Sequence, residues 1–572
     1  MSFALRVIAL ASWLGLTVVF GCSGLSDNDV PSNSVNDADS DTRADASTID
    51  GDLDGNTETE DAESDADGGE AGRVALNLST ISIGVFPQGH ENLDIDARDE
   101  QGNSDTWSAR SMDETIATVS QAGSQLTVNG LATGDTSVRI TSAAGMERDI
   151  DVRVYDPYIF ETEELLIKYV DEFIWRWDDS GSGGKYDGNF WHPVVPEGWH
   201  ALGSFGVQGY GDPTHDHWMI VVKEKDGAEA LSSPVGYQME YDDSGSGATA
   251  DGSFWTPICP AGFVALGAVA QSGYGTPNLN DVTCVRENLT VAGQAGSMIW
   301  IDEDTGADDW VGMWRINIKQ REDLSDTRLY LDAGTFVARG RSGGNCSNRE
   351  CWSPPAGYSH MRVLAVDAPM LFDAGNSISP HLTSYTEPSG PTEPFESRAM
   401  LVPFSAVLNG SQLQGKVHSF VTESPLLRFE KIVRFHRLNW IQCGGSTECA
   451  LTYDVEKGFE ATKSETFSVS VGISVTAEAG ISFKGVGGSV SVTVNTEFGY
   501  ETTESRSAFT AETWSAEKPC PPEHACAIWT DNTTFLVKKH LSSGGFAILS
   551  GGELTFDGGL SFWTDEYSAD EE

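Results

Sequence analysis

One stretch constrains the fold more than any other: residues 466–483, TFSVSVGISVTAEAGISF. Phe467, Val469, Val471, Ile473, Val475, Ala477, Ala479, Ile481 and Phe483 are apolar. Between them stand small or polar residues, among them Ser468, Ser470, Ser474, Thr476 and Glu478. Strict period-two alternation predicts an extended strand with one oily and one wet face. Such a strand would reach roughly 60 Å at about 3.3 Å per residue. Ordinary strands have about 5–6 residues, and a strand crossing a bilayer has about 9–11. After the glycine-rich break at 484–488 the apolar parity shifts to Val490, Val492 and Val494, against Ser489, Ser491 and Thr493. Two alternating strands around a glycine turn read as a hairpin. Two settings fit it: a half-buried ribbon in a soluble all-β domain, or a strand pair of a membrane barrel.

The chain has 572 residues, enough for several domains, with 35 basic against 86 acidic side chains and a formal net charge of −51. Nucleic acid is excluded as a partner, because phosphate recognition needs clustered Lys and Arg. Sixteen of the acids lie between Ser26 and Gly72 with one basic residue, Arg43. That segment lacks the apolar residues a core requires and is expected to be a disordered tether over 22–72. Within it Asp50, Asp52, Asp54, Gly55 and Asp61 have the spacing of a calcium loop, without evident flanking helices. Ahead of it, Arg6 precedes an apolar run at 7–20, too short to span a bilayer as a helix.

The run ends Phe20-Gly21-Cys22-Ser23 and resembles a bacterial lipobox. The resemblance implies a signal peptide at 1–21, cleavage before Cys22 and membrane lipid as a partner through acyl chains on its sulfur. Ser23 in place of Asp resembles the outer-membrane sorting pattern, so an outer-membrane lipoprotein, displayed or released, is expected. The eight remaining cysteines fall in local pairs: Cys259 and Cys284, Cys346 and Cys351, Cys443 and Cys449, Cys520 and Cys526. An even count in an exported chain points to disulfides. No CxxC occurs and His does not cluster with these residues, so no metal centre is expected.

Residues 73–155 show short alternating strands between Gly and Asp turns. The stretch ETIATVSQAGSQLTVNGLATGDTSVRITSAAG resembles the group 2 bacterial immunoglobulin-like family, which implies a β-sandwich spacer. Residues 157–370 contain an internal repeat at a fixed offset of 64, with Asp178 matching Asp242, Asp187 matching Asp251 and Trp191 matching Trp255. A degenerate third copy starts near Trp300 and places Trp314 at the aromatic position. Repeats this rich in Gly, Pro and aromatics predict a pseudo-symmetric prism- or trefoil-like β module. Asp178, Asp179 and Asp187, with Asp242, Asp243 and Asp251, offer oxygens for calcium or sugar hydroxyls, and Trp191 and Trp255 offer rings for stacking. The same residues equally serve as turn formers and core. His215-Asp216-His217 invites a metal reading that repeat two, with Asn and Leu nearby, does not share. The motifs D-D-S-G-S-G…D-G-x-F-W-x-P and P-x-G-[WF]-x-A-L-G resemble the vacuolar protein sorting-associated protein 62 family, whose name carries little mechanism.

Residues 395–572 form the last expected unit, an elongated β module. Its Ser/Glu-Thr lead-in, the S-V-S-V-G-I-S-V-T-A-E-A-G-I block, the following S-V-S-V strand and the Thr-Glu-Ser-rich return resemble the membrane-inserting module of aerolysin-type β-pore-forming toxins. That resemblance implies a separate receptor-binding domain, here the repeat module with a glycan or other surface receptor, and homo-oligomeric rings that release a hairpin into a barrel. An isolated hairpin leaves open edges that lipid cannot satisfy, so only a closed multimer can insert. Val469, Val471, Ile473, Val475, Val490, Val492 and Val494 would face lipid. Ser468, Ser470, Ser474, Thr476, Glu478, Ser491 and Thr493 would face the lumen. The alternative inserting segment lies within 400–465. The chain is expected to be no enzyme: HExxH, CxxC and a phosphate-cradling glycine loop are missing. The competing expectation is a lipid-anchored adhesin that binds without inserting.

Overall fold

A computed structural model describes residues 75–77, 82–99, 104–319, 328–341, 352–357, 359–367, 371–373, 380, 382, 384–390, 395–408, 413–457, 473–476, 480–484, 490–493, 512–541, 545–556 and 562–569. The chain is all-β and multidomain. Cys22, Cys346, Cys351, the calcium-like spacing in the tether, and Val469, Val471, Val494, Ser468, Ser470 and Glu478 lie outside the described residues.

The first described part is a two-sheet sandwich. Strands Ser82–Val85, Glu147–Val154, Gly134–Ser142 and Trp107–Ser111 form one sheet, and His90–Asp94, Gln125–Gly130 and Ala117–Ala122 the other. Alternation decides what goes inside: Val138, Ile140, Ile150 and Val152 point inward while the residues between them stay wetter. Exposed cross-strand pairs such as Arg139 with Asp149, at 2.7 Å, line the outer face.

The repeats build three similar three-stranded sheets. The first holds Phe173–Asp178, Gly188–Pro193 and Phe205–Gln208; the second holds Gly236–Asp242, Gly252–Ile258 and Val269–Ser272. The third is made by the end of Thr290–Ile301 with Trp310–Ile318 and Phe336–Arg341. Their inner faces meet at Trp177, Phe190, Tyr241, Phe254, Trp300 and Met313. Backbone hydrogen bonds close the ring: Lys185 N–H donates to Glu303 O at 2.9 Å, Thr249 to Ser180 at 2.7 Å and Asp308 to Ser244 at 2.9 Å. Each donor occupies the same place in its copy, and each acceptor lies in the copy before it. That cyclic pattern is a prism with a pseudo-threefold axis. Glycine permits it, because a Cβ on Gly252 would stand 2.1 Å from the Trp177 ring and one on Gly188 2.5 Å from the Trp300 ring. Trp314 occupies the position of Trp191 and Trp255, with Met298 opposite it as Met239 is opposite Trp255.

The C-terminal sheet runs in the order Leu371–Asp373, Phe395–Pro403, Leu426–Cys443, His524–Leu541 and Gly545–Phe556, with Phe562–Ser568 also paired to His524–Leu541. Leu426–Cys443 and His524–Leu541 are each 18 residues long and pair antiparallel along their whole length. These, rather than 466–483, are the long strands. Alternation hides them because Arg428 and Glu430 sit at buried positions, and a bulge between Arg437 and Asn439 switches the parity. The buried ions pair with one another: Arg428 Nε lies 2.8 Å from Glu430 Oε1, Lys538 pairs with Glu430, and Arg428 reaches Glu91 of the sandwich at 3.3 Å.

The expected single strand at 466–483 is corrected. Ile473–Thr476 pairs antiparallel with Gly480–Lys484, with Thr476 opposite Gly480, so the chain reverses between them. Gly480–Lys484 then pairs with Val490–Thr493. The result is a three-strand meander whose first reversal falls between Thr476 and Gly480, ahead of the expected glycine turn at 484–488. Alternation specifies the pleat but not where the chain turns back. The register still matches like with like: Ile473 stands opposite Phe483, Val475 opposite Ile481, Phe483 opposite Val492, and Ser482 opposite both Ser474 and Thr493. Of residues 400–465, the alternative inserting segment, the described part holds the end of Phe395–Pro403, helices Phe404–Val407 and Val417–Glu423, the long strand and Cys449–Lys457, and residues 409–412 and 458–465 lie outside the described residues.

Candidate functional site

The repeated acidic motif forms a turn whose geometry recurs three times. Asp179 Oδ1 accepts the Gly188 N–H at 2.9 Å; Asp243 Oδ1 accepts Gly252, and Asp302 Oδ1 accepts Val311, each also at 2.9 Å. The second oxygen of Asp179 accepts Ser182 Oγ–H at 3.2 Å, as Asp243 does from Ser246. All three carboxyls are buried, and burial raises Asp179 above the usual carboxylate range and pushes Asp302 up to about 6. Asp178 and Asp242 accept the N–H two residues on, at 3.0 and 3.1 Å, which is an Asx turn. Thus the oxygens of Asp179 and Asp243 are occupied inside the turn and do not point at a ligand.

The outward residues of the motif are different. Asp187 and Asp251 are exposed, and each accepts from a tyrosine 23 residues on: Tyr210 Oη at 3.0 Å and Tyr274 Oη at 3.2 Å. Trp175 is partly exposed and donates to Asp178 Oδ2 at 3.0 Å. Trp255 is buried and donates to Ser253 Oγ at 2.8 Å, while Trp191 is half-buried against Phe173 and Phe205. The polar rim of the first two repeats is therefore an Asp–Tyr pair, and the tryptophans of the sequence motif belong mainly to the framework.

At the far end the chain presents a second feature. Cys443–Cys449 and Cys520–Cys526 are disulfide-bonded, as is Cys259–Cys284 in the second repeat. Cys449–Lys457 pairs along its length with Glu512–Cys520, with Cys449 opposite Cys520. This ribbon is a two-stranded sheet joined to the ends of the two long strands by 444–448 on one side and 521–523 on the other. It folds back over the long strands, because Asn439 Nδ2 donates to Thr452 O at 2.8 Å and Leu451 is buried with both disulfides and Ile528. The meander, with its Ser/Val alternation, belongs to the segment that leaves one ribbon strand at Lys457 and re-enters the other at Glu512.

A third feature escaped sequence reasoning. His215, Asp216 and His217 do not act together: Asp216 and His217 line a cleft of about 760 Å³, and the His217 ring packs 5.1 Å from Phe205. Burial lowers the His217 pKa. His215 turns the other way, to Asp171 Oδ2 at 3.1 Å. His418, from the helix Val417–Glu423, meets the same oxygen at 2.6 Å. Neither Asp171 nor His418 is near His215 in sequence, so no local motif announces the cluster. Among the described residues this is the group of His, Cys, Asp and Glu whose donor atoms converge closely enough to hold a metal ion.

Residues 160–351 match the family described as vacuolar protein sorting-associated protein 62. The match covers about a third of the chain and falls on the prism. No curated protein matches. Among solved structures, the chain is similar to GNIP1Aa from Chromobacterium piscinae, at 30% identity over 30% of this chain and 32% of that one, with a TM-score of 0.27. It is also similar to Cry35Ab1, at 11% identity over 71% and 90%, with a TM-score of 0.25. Domains 4 and 5 of the S-layer protein SbsC align at 24% identity over 14% and 53%, with a TM-score of 0.13. The chain thus spans about a third of the length of GNIP1Aa. These likenesses are partial, and the architecture is read from the sheets of this chain itself.

Proposed function

We infer that this protein is a non-enzymatic, membrane-targeted β protein of the pore-forming kind, exported as a lipid-anchored chain, in which the prism selects a target and the segment between Lys457 and Glu512 enters the bilayer. One observation carries the reading. A Ser/Val-alternating segment is inserted between two paired strands that are joined directly to the ends of two paired 18-residue strands. Four- and five-residue strands are too short to cross, since a spanning strand needs about 9–11 residues. The meander is thus a stored form that must re-pair with neighbouring copies, and only a closed barrel would satisfy its edges in lipid. In that state Ile473, Val475, Val490 and Val492 contact lipid, while Ser474, Thr476, Ser491 and Thr493 line the lumen. The exposed Asp187–Tyr210 and Asp251–Tyr274 pairs supply the polar rim for target recognition, a glycan being the class their hydroxyls and carboxylates suit.

The test is dye release from liposomes by the full chain, compared with Val475→Asp/Val492→Asp. A Lys or Arg on the lipid face of a membrane barrel costs about 2–4 kcal/mol near the midplane and an Asp less, so the two aspartates together should lower leakage by about tenfold in a variant with unchanged melting. Binding to target cells with no leakage at any concentration would instead leave a lipid-anchored adhesin.

A further inference from the structure

We propose that Asp171, His215 and His418 bind one divalent transition-metal ion of the zinc class and so clamp the C-terminal helix to the prism. The three residues come from three separate segments. Asp171 lies in the turn between Leu165–Val170 and Phe173–Asp178, and His215 in the loop before Met219–Glu224. His418 lies on the helix Val417–Glu423. Nothing local in the chain requires them to meet, yet their donor atoms all fall within 4.8 Å of one another.

The geometry suits a metal. Both imidazoles aim Nδ1 at a single oxygen, Asp171 Oδ2, at 3.1 and 2.6 Å, and their ring centroids are 4.0 Å apart. Zinc binds imidazole nitrogen and carboxylate oxygen at about 2.0–2.2 Å, which places tetrahedral ligand atoms roughly 3.3 Å from one another. The His215 separation already fits, and the His418 nitrogen needs to withdraw by about 0.7 Å on the same scale. Binding shifts each imidazole proton from Nδ1 to Nε2 and frees the Nδ1 lone pair for the ion. The carboxyl side chain is 7% exposed and the two imidazoles are 48% and 52% exposed, so the anion is fixed and the entrance is open to solvent. A fourth position remains for water.

A second, independent feature is the backbone of His215. It has φ of 66°, a left-handed conformation uncommon outside glycine though less so for His, Asn and Asp, and its N–H donates to Asp171 O at 2.9 Å. Main chain and side chain of His215 are thus both referred to the same residue, the kind of over-determination that sustains a strained conformation at a functional site. Two nitrogens and one oxygen select zinc, cobalt, nickel or copper over calcium and magnesium, which take oxygen alone.

The experiment is equilibrium dialysis of the full chain against Zn²⁺ at physiological salt, with Ca²⁺ as comparison. Asp171→Asn, His418→Ala and the exposed control His200→Ala are dialysed alongside, each first shown to melt like the parent without metal. The expected result is one Zn²⁺ retained by the parent and by His200→Ala, affinity at least tenfold weaker in the two site variants, and no equivalent Ca²⁺ uptake at this site. Binding should also raise the melting temperature of the parent and of His200→Ala, and not that of the two site variants. No retained Zn²⁺, or retention equal in parent and site variants, would overturn the proposal. Should either site variant melt early, X-ray absorption on the parent decides: a shell of two imidazoles and one carboxylate supports the site, and any other shell refutes it.

Discussion

Asp243 shows how a residue that looks like a ligand becomes part of the framework. Its carboxyl is 3% exposed and receives hydrogen bonds from the Gly252 N–H and Ser246 Oγ–H. Asp243→Ala would orphan a buried N–H, at a cost of about 1–3 kcal/mol. Thermal unfolding of the variant without any added ligand should therefore show a loss of several degrees. A residue serving only a ligand would leave that melting temperature unchanged. Glu240 carries a different consequence. Buried within its sheet, it is pushed up to about 7 from an ordinary 4.5. Its folded-state pKa exceeds its unfolded one, so its contribution to stability is full below about pH 4.5 and is lost as pH rises through 7. Glu240→Gln should match the parent near pH 4.5 and melt higher than the parent at pH 8. Equal melting differences at both pH values would contradict the burial argument.

Elements were legible to the degree that alternation and repetition reported them. The 64-residue offset gave the prism copies, since Trp177 with Tyr241 and Phe190 with Phe254 fall at equivalent core positions. The third copy faded because Met313 replaces the phenylalanine and the spacing from Tyr241 to Trp300 shortens to 59. The 18-residue strands were opaque for a physical reason: the ion set of Glu91, Arg428, Glu430 and Lys538 places charge where a pattern reader expects oil. Asp171, His215 and His418 could not be read at all, because tertiary packing alone unites them. At the ribbon junction, Cys443–Cys449 and Cys520–Cys526 lie in one buried cluster and hold the fold-back of Cys449–Lys457 and Glu512–Cys520. Each closes a short loop, worth about 2 kcal/mol by chain entropy. Replacing all four cysteines by serine should speed amide exchange in 449–457 and 512–520 while leaving the prism strands protected. Unchanged exchange in the ribbon would mean that packing, not the disulfides, holds it.

At the scale of the molecule, the modules expected from sequence share a core. Phe86 and Tyr155 of the sandwich, Leu165, Ile167 and Ile220 of the first repeat, and Phe404, Leu427 and Phe429 of the C-terminal module belong to one buried cluster. Phe86 also packs 3.8 Å from His540. Residues 69–572 accordingly form one compact unit. The shared core joins the prism, the proposed target-binding module, to the sheet that carries the ribbon. The most direct measurement is of the segment between Lys457 and Glu512 itself. An environment-sensitive fluorophore is placed in turn at positions 473, 474, 475, 491 and 492 of the full chain, each through a single introduced cysteine on oxidised protein. With liposomes, probes at 473, 475 and 492 should shift to the blue and be quenched by lipid-borne quencher, while those at 474 and 491 should remain aqueous. Spectra that stay aqueous at all five positions, on liposomes that bind the protein, would contradict insertion of this segment.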